Sequence, residues 1–171
     1  MRVILFLFLG FVALAGLAAQ SPSDIRLHQQ LKRLFPSAAS FSPKEGAPPH
    51  FKALRADGKT VLGYAFWTTE LEPLERAYDG PIKILVGMDG NGVLTGIVVA
   101  EHHEPYGDFS IETAGFASQF RGKSIRDPFK VGADIDAVSR ATISVTSASR
   151  AVRNSARRIA KAYLAPPESA K

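Results

Sequence analysis

The chain has no cysteine in its 171 residues. That absence excludes a disulfide framework, a thiolate zinc site, an iron–sulfur cluster, c-type haem attachment and a cysteine nucleophile together. Any redox role must therefore rest on an organic cofactor. There is no Gly-x-Ser-x-Gly elbow, so Ser139 or Ser144 with His102 or His103 does not read as a hydrolase. The glycine-rich run from Gly87 to Gly92 opens no helix, which removes a nucleotide phosphate loop. Disorder is excluded as well, because 46% of the residues are apolar and 22% charged. Long apolar runs are confined to the first twenty residues. There Met1-Arg2 is followed by an uncharged stretch from Val3 to Leu17, which closes on Ala18-Ala19 before Gln20-Ser21. This is the layout of a secretory signal. Residues 1–19 are read as a signal peptide cut after Ala18 or Ala19, or as a retained N-terminal anchor. Either way the rest of the chain is expected to be exported, to a periplasmic or similar compartment, and nucleic acid is not an expected partner.

Ser23 is placed as the N-cap of a helix over 24–35, with Ile25, Leu27, Leu31 and Leu34 apolar and Pro36 as its stop. Residues 37–50, rich in Pro, Ser, Ala and Gly, read as a loop laid over the domain. The β-branched and aromatic run Val61 to Thr69 reads as a strand. Ile82–Met88 and Val93–Val99 flank Asp89-Gly90-Asn91-Gly92, the pattern of a tight hairpin. Both of its strands are apolar on both faces, which predicts a hairpin inside a covered sheet. Ser110 to Phe120 is expected to hold a short helix. From Thr142 to Leu164 neither Gly nor Pro interrupts the chain, and Val145, Ala148, Val152, Ala156, Ile159 and Tyr163 recur at helical spacing. The expected class is α+β: a small antiparallel sheet with a central hairpin, packed by a long C-terminal helix and shorter helices. Residues 20–60 form the N-terminal helix and loop, 61–164 the main domain and 165–171 a tail.

Six hydroxyls stand between Ser139 and Ser149, where the long helix should begin: Ser139, Thr142, Ser144, Thr146, Ser147 and Ser149. Free N–H groups and the positive end of the helix dipole suit that place to an anionic phosphate. A hydroxyl there can cap the helix, bond a phosphate or be esterified by one. Composition alone favours plain capping by Ser139 or Thr142.

The order of the residues points further. Asp136-Ala137-Val138-Ser139-Arg140-Ala141-Thr142 resembles the flavinylation motif Asp-x-x-Ser/Thr-Gly-Ala-Thr of the FMN-binding domain family. That domain occurs in Rnf and sodium-translocating NADH:quinone reductase complexes and in NosR/NirI-type proteins of nitrous oxide respiration. Gly63-Tyr64-Ala65-Phe66, Gly80 to Asp89, Gly92, Gly96 and Val99-Ala100-Glu101-His102-His103-Glu104-Pro105 are similar to the NosR-type version. The resemblance places the FMN-binding domain over 61–164. It implies FMN as cofactor, joined through its phosphate to Thr142 by a flavin transferase of the ApbE type. Asp136, Ser139, Arg140 and Ala141 are the accompanying motif positions, and the turn carrying His102, His103 and Glu104 lies near the flavin. Arg140 departs from the family, which usually has glycine there. A side chain at that place hinders the transferase or forces a different turn, or else sets a guanidinium beside the phosphate. The implied role is electron transfer rather than stand-alone catalysis. The alternative is a non-redox accessory or sensor module that kept the fold without covalent flavin.

Other candidates are weighed on the residues. Glu101 to Glu104 mixes imidazoles and carboxylates, but strand neighbours point to opposite faces, so the run reads as a polar strand end rather than a metal site. Tyr64, Phe66 and Trp67 can stack on a ring, yet they alternate faces and read mainly as core. Seven basic residues and one acidic residue lie from Arg140 to Lys171, within a formal charge of +5 for the whole chain. Arg150, Arg153, Arg157 and Lys161 follow helical spacing, as a solvated face or a docking stripe for an acidic redox partner or anionic lipid heads.

Overall fold

The computed structural model describes residues 21–164. The expected leader and tail lie outside the described residues. Helix α1 spans Pro22–Leu34, followed by strands β1 (Ser40–Phe41), β2 (Phe51–Leu54) and β3 (Val61–Trp67). A short helix α2 (Thr68–Leu71) leads to β4 (Lys83–Asp89) and β5 (Leu94–Glu101). Helices α3 (Ala114–Ser118) and α4 (Thr142–Tyr163) complete the chain. The strands form one antiparallel meander in the order β1-β2-β3-β4-β5. This is the α+β class expected from the sequence. No helix among the described residues is long and apolar enough to cross a membrane.

The sheet is covered on both faces, and the pleat explains why β3 and the Ile84–Met88 run of β4 carry apolar residues on both faces. Phe66, Ile84, Val86 and Met88 face α4, where Val145, Ala148, Val152, Ala156 and Ile159 form one buried stripe. Ala65 and Leu85 point the other way, with Ala53 and Phe51, against Leu31, Leu34 and Phe35 at the end of α1. Phe66 is fully buried, whereas Tyr64 packs edge-on to His50 and stacks on Tyr163. Trp67 lies on the α1 face beneath the Lys83 ammonium.

Several expectations are corrected. The cap of α1 is Ser21, not Ser23: its hydroxyl accepts from the Asp24 N–H and the Asp24 carboxylate returns to the Ser21 N–H, a capping box. The stretch read as a loop carries β1, and the four residues of β2 follow it, so the sheet extends beyond the hairpin. Only β4 of the hairpin is interior, because β5 ends the sheet. In the turn Gly92 alone has positive φ, +78°, and the Asp89 carboxylate fixes the loop by accepting from the Asn91 and Val93 N–H groups. The helix expected over 110–120 contracts to α3, capped by the Thr113 hydroxyl.

Candidate functional site

The first turn of α4 is uncapped. Its N-cap is Ala141, which has no side chain to offer, and neither Ser139 nor Thr142 caps the helix. The ladder starts with Val145 N–H donating to Ala141 C=O at 2.9 Å. The amides of Thr142, Ile143 and Ser144 meet no acceptor among the described residues. These are the orphan donors of a helix N-terminus, here at the head of 22 residues of aligned peptide dipoles. The turn into the helix places Arg140 at φ +67°, in the left-handed region. Glycine adopts that region without steric cost, whereas a side chain costs roughly 1–2 kcal/mol. The glycine that the motif resemblance puts at this position would meet no such cost, and Arg140 keeps the turn in spite of it.

A groove of about 540 Å³ opens beside this turn, lined by Tyr78, Pro105, Tyr106, Arg140, Thr142, Ile143 and Ser144. Small-molecule sites typically measure ~300–1,000 Å³. Tyr78 is 70% exposed, Ile143 58% and Tyr106 41%, and the Tyr106 ring lies 5.4 Å from that of the exposed Phe109. Large apolar side chains left in water around one groove mark a binding surface. A larger groove, about 790 Å³, runs along β5 between α1 and α3. It holds neither the hydroxyl cluster nor the uncapped helix end.

Behind the first groove a buried carboxylate joins three segments. Glu104 accepts from the N–H groups of Tyr78 (3.2 Å) and Asp79 (2.8 Å), and from the Ser144 hydroxyl. It thus ties the wall carrying Tyr78 to the third residue of α4. The Glu104 N–H donates to His102 Nδ1 at 3.0 Å. Because Nδ1 accepts, the proton of a neutral ring sits on Nε2, which faces Glu112 at 2.7 Å. His102 is therefore a bracket for Glu104. His103 and Asp136 are exposed and do not line the groove, and the Asp136 N–H donates to Gln119.

Gly107 closes on the His102 ring: a Cβ there would lie 2.0 Å from Cε1. The ring is held from both sides and has no slack. Gly107→Ala should therefore destabilise the chain by about 1–3 kcal/mol. Adding His102→Ala should return part of that loss, so the two effects will not sum. Thermal melts of the two single variants and the double variant check this.

The basic face of α4 is less free than helical spacing implied. Arg150 donates to both oxygens of Glu75 at 2.5 and 2.7 Å, and the Ser147 hydroxyl joins them at 2.8 Å. Arg153 reaches the Pro128 carbonyl, and Arg157 the carbonyls of Ile125 and Asp127. Arg158 pairs with Glu72. Lys161 makes no such bond among the described residues. The Arg150 guanidinium, seconded by Ser147, holds the Glu75 carboxyl below its usual value of 4.5. A depressed carboxyl contributes stability above its unfolded pKa and loses it as pH falls through the folded one. The parent chain should therefore lose stability on acidification below about pH 4.5, and Glu75→Gln should show a shallower acid slope in melts.

Sequence profiles bear on this site. Residues 77–157 match the profile of the FMN-binding domain, a span that opens beside Tyr78 and includes the uncapped turn of α4. Residues 77–157 are an FMN-binding domain. Among curated relatives, regulatory protein NosR of Pseudomonas aeruginosa is 29% identical over 167 residues, covering 91% of this chain and 23% of NosR. NosR of Stutzerimonas stutzeri is 28% identical over 166 residues, with shares of 91% and 22%. A component of the ion-translocating oxidoreductase complex of Erwinia tasmaniensis is 31% identical over 116 residues, with shares of 62% and 53%. This FMN-binding chain thus spans under a quarter of the NosR proteins and about half of the Erwinia protein.

The family's cofactor is FMN, and the donor set here fits its phosphate. Three acceptor-free amides, an exposed hydroxyl and a guanidinium without an internal partner meet at the head of α4, between aromatic walls. Thr142 and Arg140 were legible in the motif. Tyr78, Tyr106 and Ile143 were not singled out, because exposed aromatic and aliphatic residues in loops and at helix starts carry no periodic signal.

Proposed function

We propose that this chain is an exported electron-transfer flavoprotein whose FMN is joined through its phosphate to Thr142. The observation that carries the reading is the uncapped first turn of α4, which presents the Thr142 hydroxyl and three free amides to an aromatic groove. The amides and the dipole favour the phosphodiester charge by about 0.3–1 kcal/mol. Tyr78, Tyr106 and Ile143 supply apolar walls for the ring system, and the Glu104 network keeps the Tyr78 wall against α4. Bound there, FMN supplies one- and two-electron transfer. Export rests on the charged, apolar and small-residue layout of the first twenty residues. A tether suits such a location, since a dissociated flavin would be lost. A flavin transferase of the ApbE type is the partner this linkage needs. Lys161 and the half-exposed Arg150 remain available to an acidic redox partner or anionic lipid surface. A second reading, a non-redox module without covalent flavin, draws on Arg140 in the place of glycine.

Co-expression with a flavin transferase followed by intact-mass measurement separates the two. The electron-transfer reading expects a gain equal to FMN less one water, and an absorbance band near roughly 450 nm that survives denaturation. A colourless protein of unmodified mass would overturn it.

A further inference from the structure

The left-handed residue at the head of the groove is the one place where the chain accepts backbone strain beside its candidate site. Arg140 stands at φ +67°, lines the groove with Thr142, and has no hydrogen bond or ion pair among the described residues. Its neighbours along α4 behave otherwise: Arg150, Arg153, Arg157 and Arg158 all engage carboxylates or carbonyls. A planar guanidinium suits phosphate oxygens, which can accept two parallel hydrogen bonds from it.

We infer that Arg140 is a specificity residue: it selects a phosphorylated flavin over an unphosphorylated one and holds it before and independently of covalent attachment. The inference rests on the flavin reading above. The glycine-bearing turn usual in the family would offer the same amides but no side-chain cation. Here the guanidinium adds a charge-assisted contact to the phosphomonoester and none to riboflavin, which carries only hydroxyls at that end. The isoalloxazine ring is common to both ligands, so the difference between their affinities isolates the phosphate contact.

The test uses the full chain produced without a flavin transferase, titrated with FMN and with riboflavin and followed by quenching of flavin fluorescence. The parent should favour FMN by about fivefold or more, as expected for a charge-assisted hydrogen bond at an exposed site. Raising the salt concentration should weaken FMN and leave riboflavin unchanged. Inorganic phosphate should compete with FMN alone. Arg140→Gly relieves the left-handed strain, so it should fold at least as well as the parent in a thermal melt. It should nevertheless show a clearly smaller preference for FMN, the remainder being the share of the amides and the helix dipole, and Arg140→Lys should fall between. Equal binding of both flavins by the parent, or an undiminished FMN preference in Arg140→Gly, would overturn the role of Arg140 while leaving the flavin reading intact. Failure of both flavins to bind would overturn the role of Arg140, while the labelling experiment above decides the flavin reading separately.

Discussion

Thr142→Ala should carry no covalent flavin, whereas Thr142→Ser should still be labelled. The hydroxyl at this position is the first of α4, exposed, and makes no internal hydrogen bond. Removing it therefore costs the fold nothing identifiable, and alanine favours the helix by a few tenths of a kcal/mol. The neighbouring hydroxyls offer no substitute: exposed Thr146 lies a full turn further along α4, outside the groove lining. Ser144 is buried and donates to Glu104, and Ser147 is buried and donates to Glu75. Ser139 lies before the turn, on the far side of Arg140. Intact mass after co-expression with a flavin transferase should show the parent and the serine variant gaining the same increment, with the alanine variant unchanged. Unchanged melting of the alanine variant would show that the label and not the fold was lost. A labelled alanine variant would place the linkage elsewhere and sink the assignment of Thr142.

Glu104→Ala should produce the largest loss of stability of any single change at the groove. Its carboxylate is 5% exposed and accepts three hydrogen bonds, from two backbone N–H groups and from the Ser144 hydroxyl. Alanine leaves those donors facing a cavity. The expected cost is about 3 kcal/mol, because bonds to a buried charged acceptor each exceed neutral ones and the orphaned donors keep their desolvation penalty. For a domain of this size that corresponds to a melting point lower by roughly 6–12 °C. The flavin should be affected as well, since Glu104 holds the Tyr78 wall. Glu104→Gln, which keeps one carbonyl oxygen, should lose about half as much stability. Melting of Glu104→Ala indistinguishable from the parent would show that this carboxylate does not hold the three segments together.

What the sequence revealed depends on the range of each interaction. The buried stripe of α4 was legible because Val145, Ala148, Val152, Ala156 and Ile159 repeat at the period of the helix. The hairpin was legible from Asp89 to Gly92, although β5 proved to be the sheet's edge. Strand β2 escaped because Phe51–Leu54 is only four residues long and follows a Pro-rich segment. Thr142 was readable from an ordered motif, but whether Ser139 or Thr142 caps the helix was not, since composition favours capping and the backbone at Ala141 leaves it undone. Glu104 was expected near the flavin as part of a turn. Only the fold shows it reaching back 25 and 26 residues to Asp79 and Tyr78. The arginines of α4 read as a solvated face for the same reason: their acceptors lie 25 to 86 residues distant.

The meander joins each strand to the next in sequence, so most of the sheet is assembled from near neighbours. The groove is not. Its walls come from Tyr78, from Pro105 and Tyr106, and from the head of α4, and its ties cross 40 residues from Ser144 to Glu104 and 72 from Ser147 to Glu75. The site therefore exists only once α4 has docked across the sheet. If the chain is exported as proposed, then while still being threaded through a channel it would present Thr142 on an unformed surface. A flavin bound in this groove is consequently a certificate of completed folding.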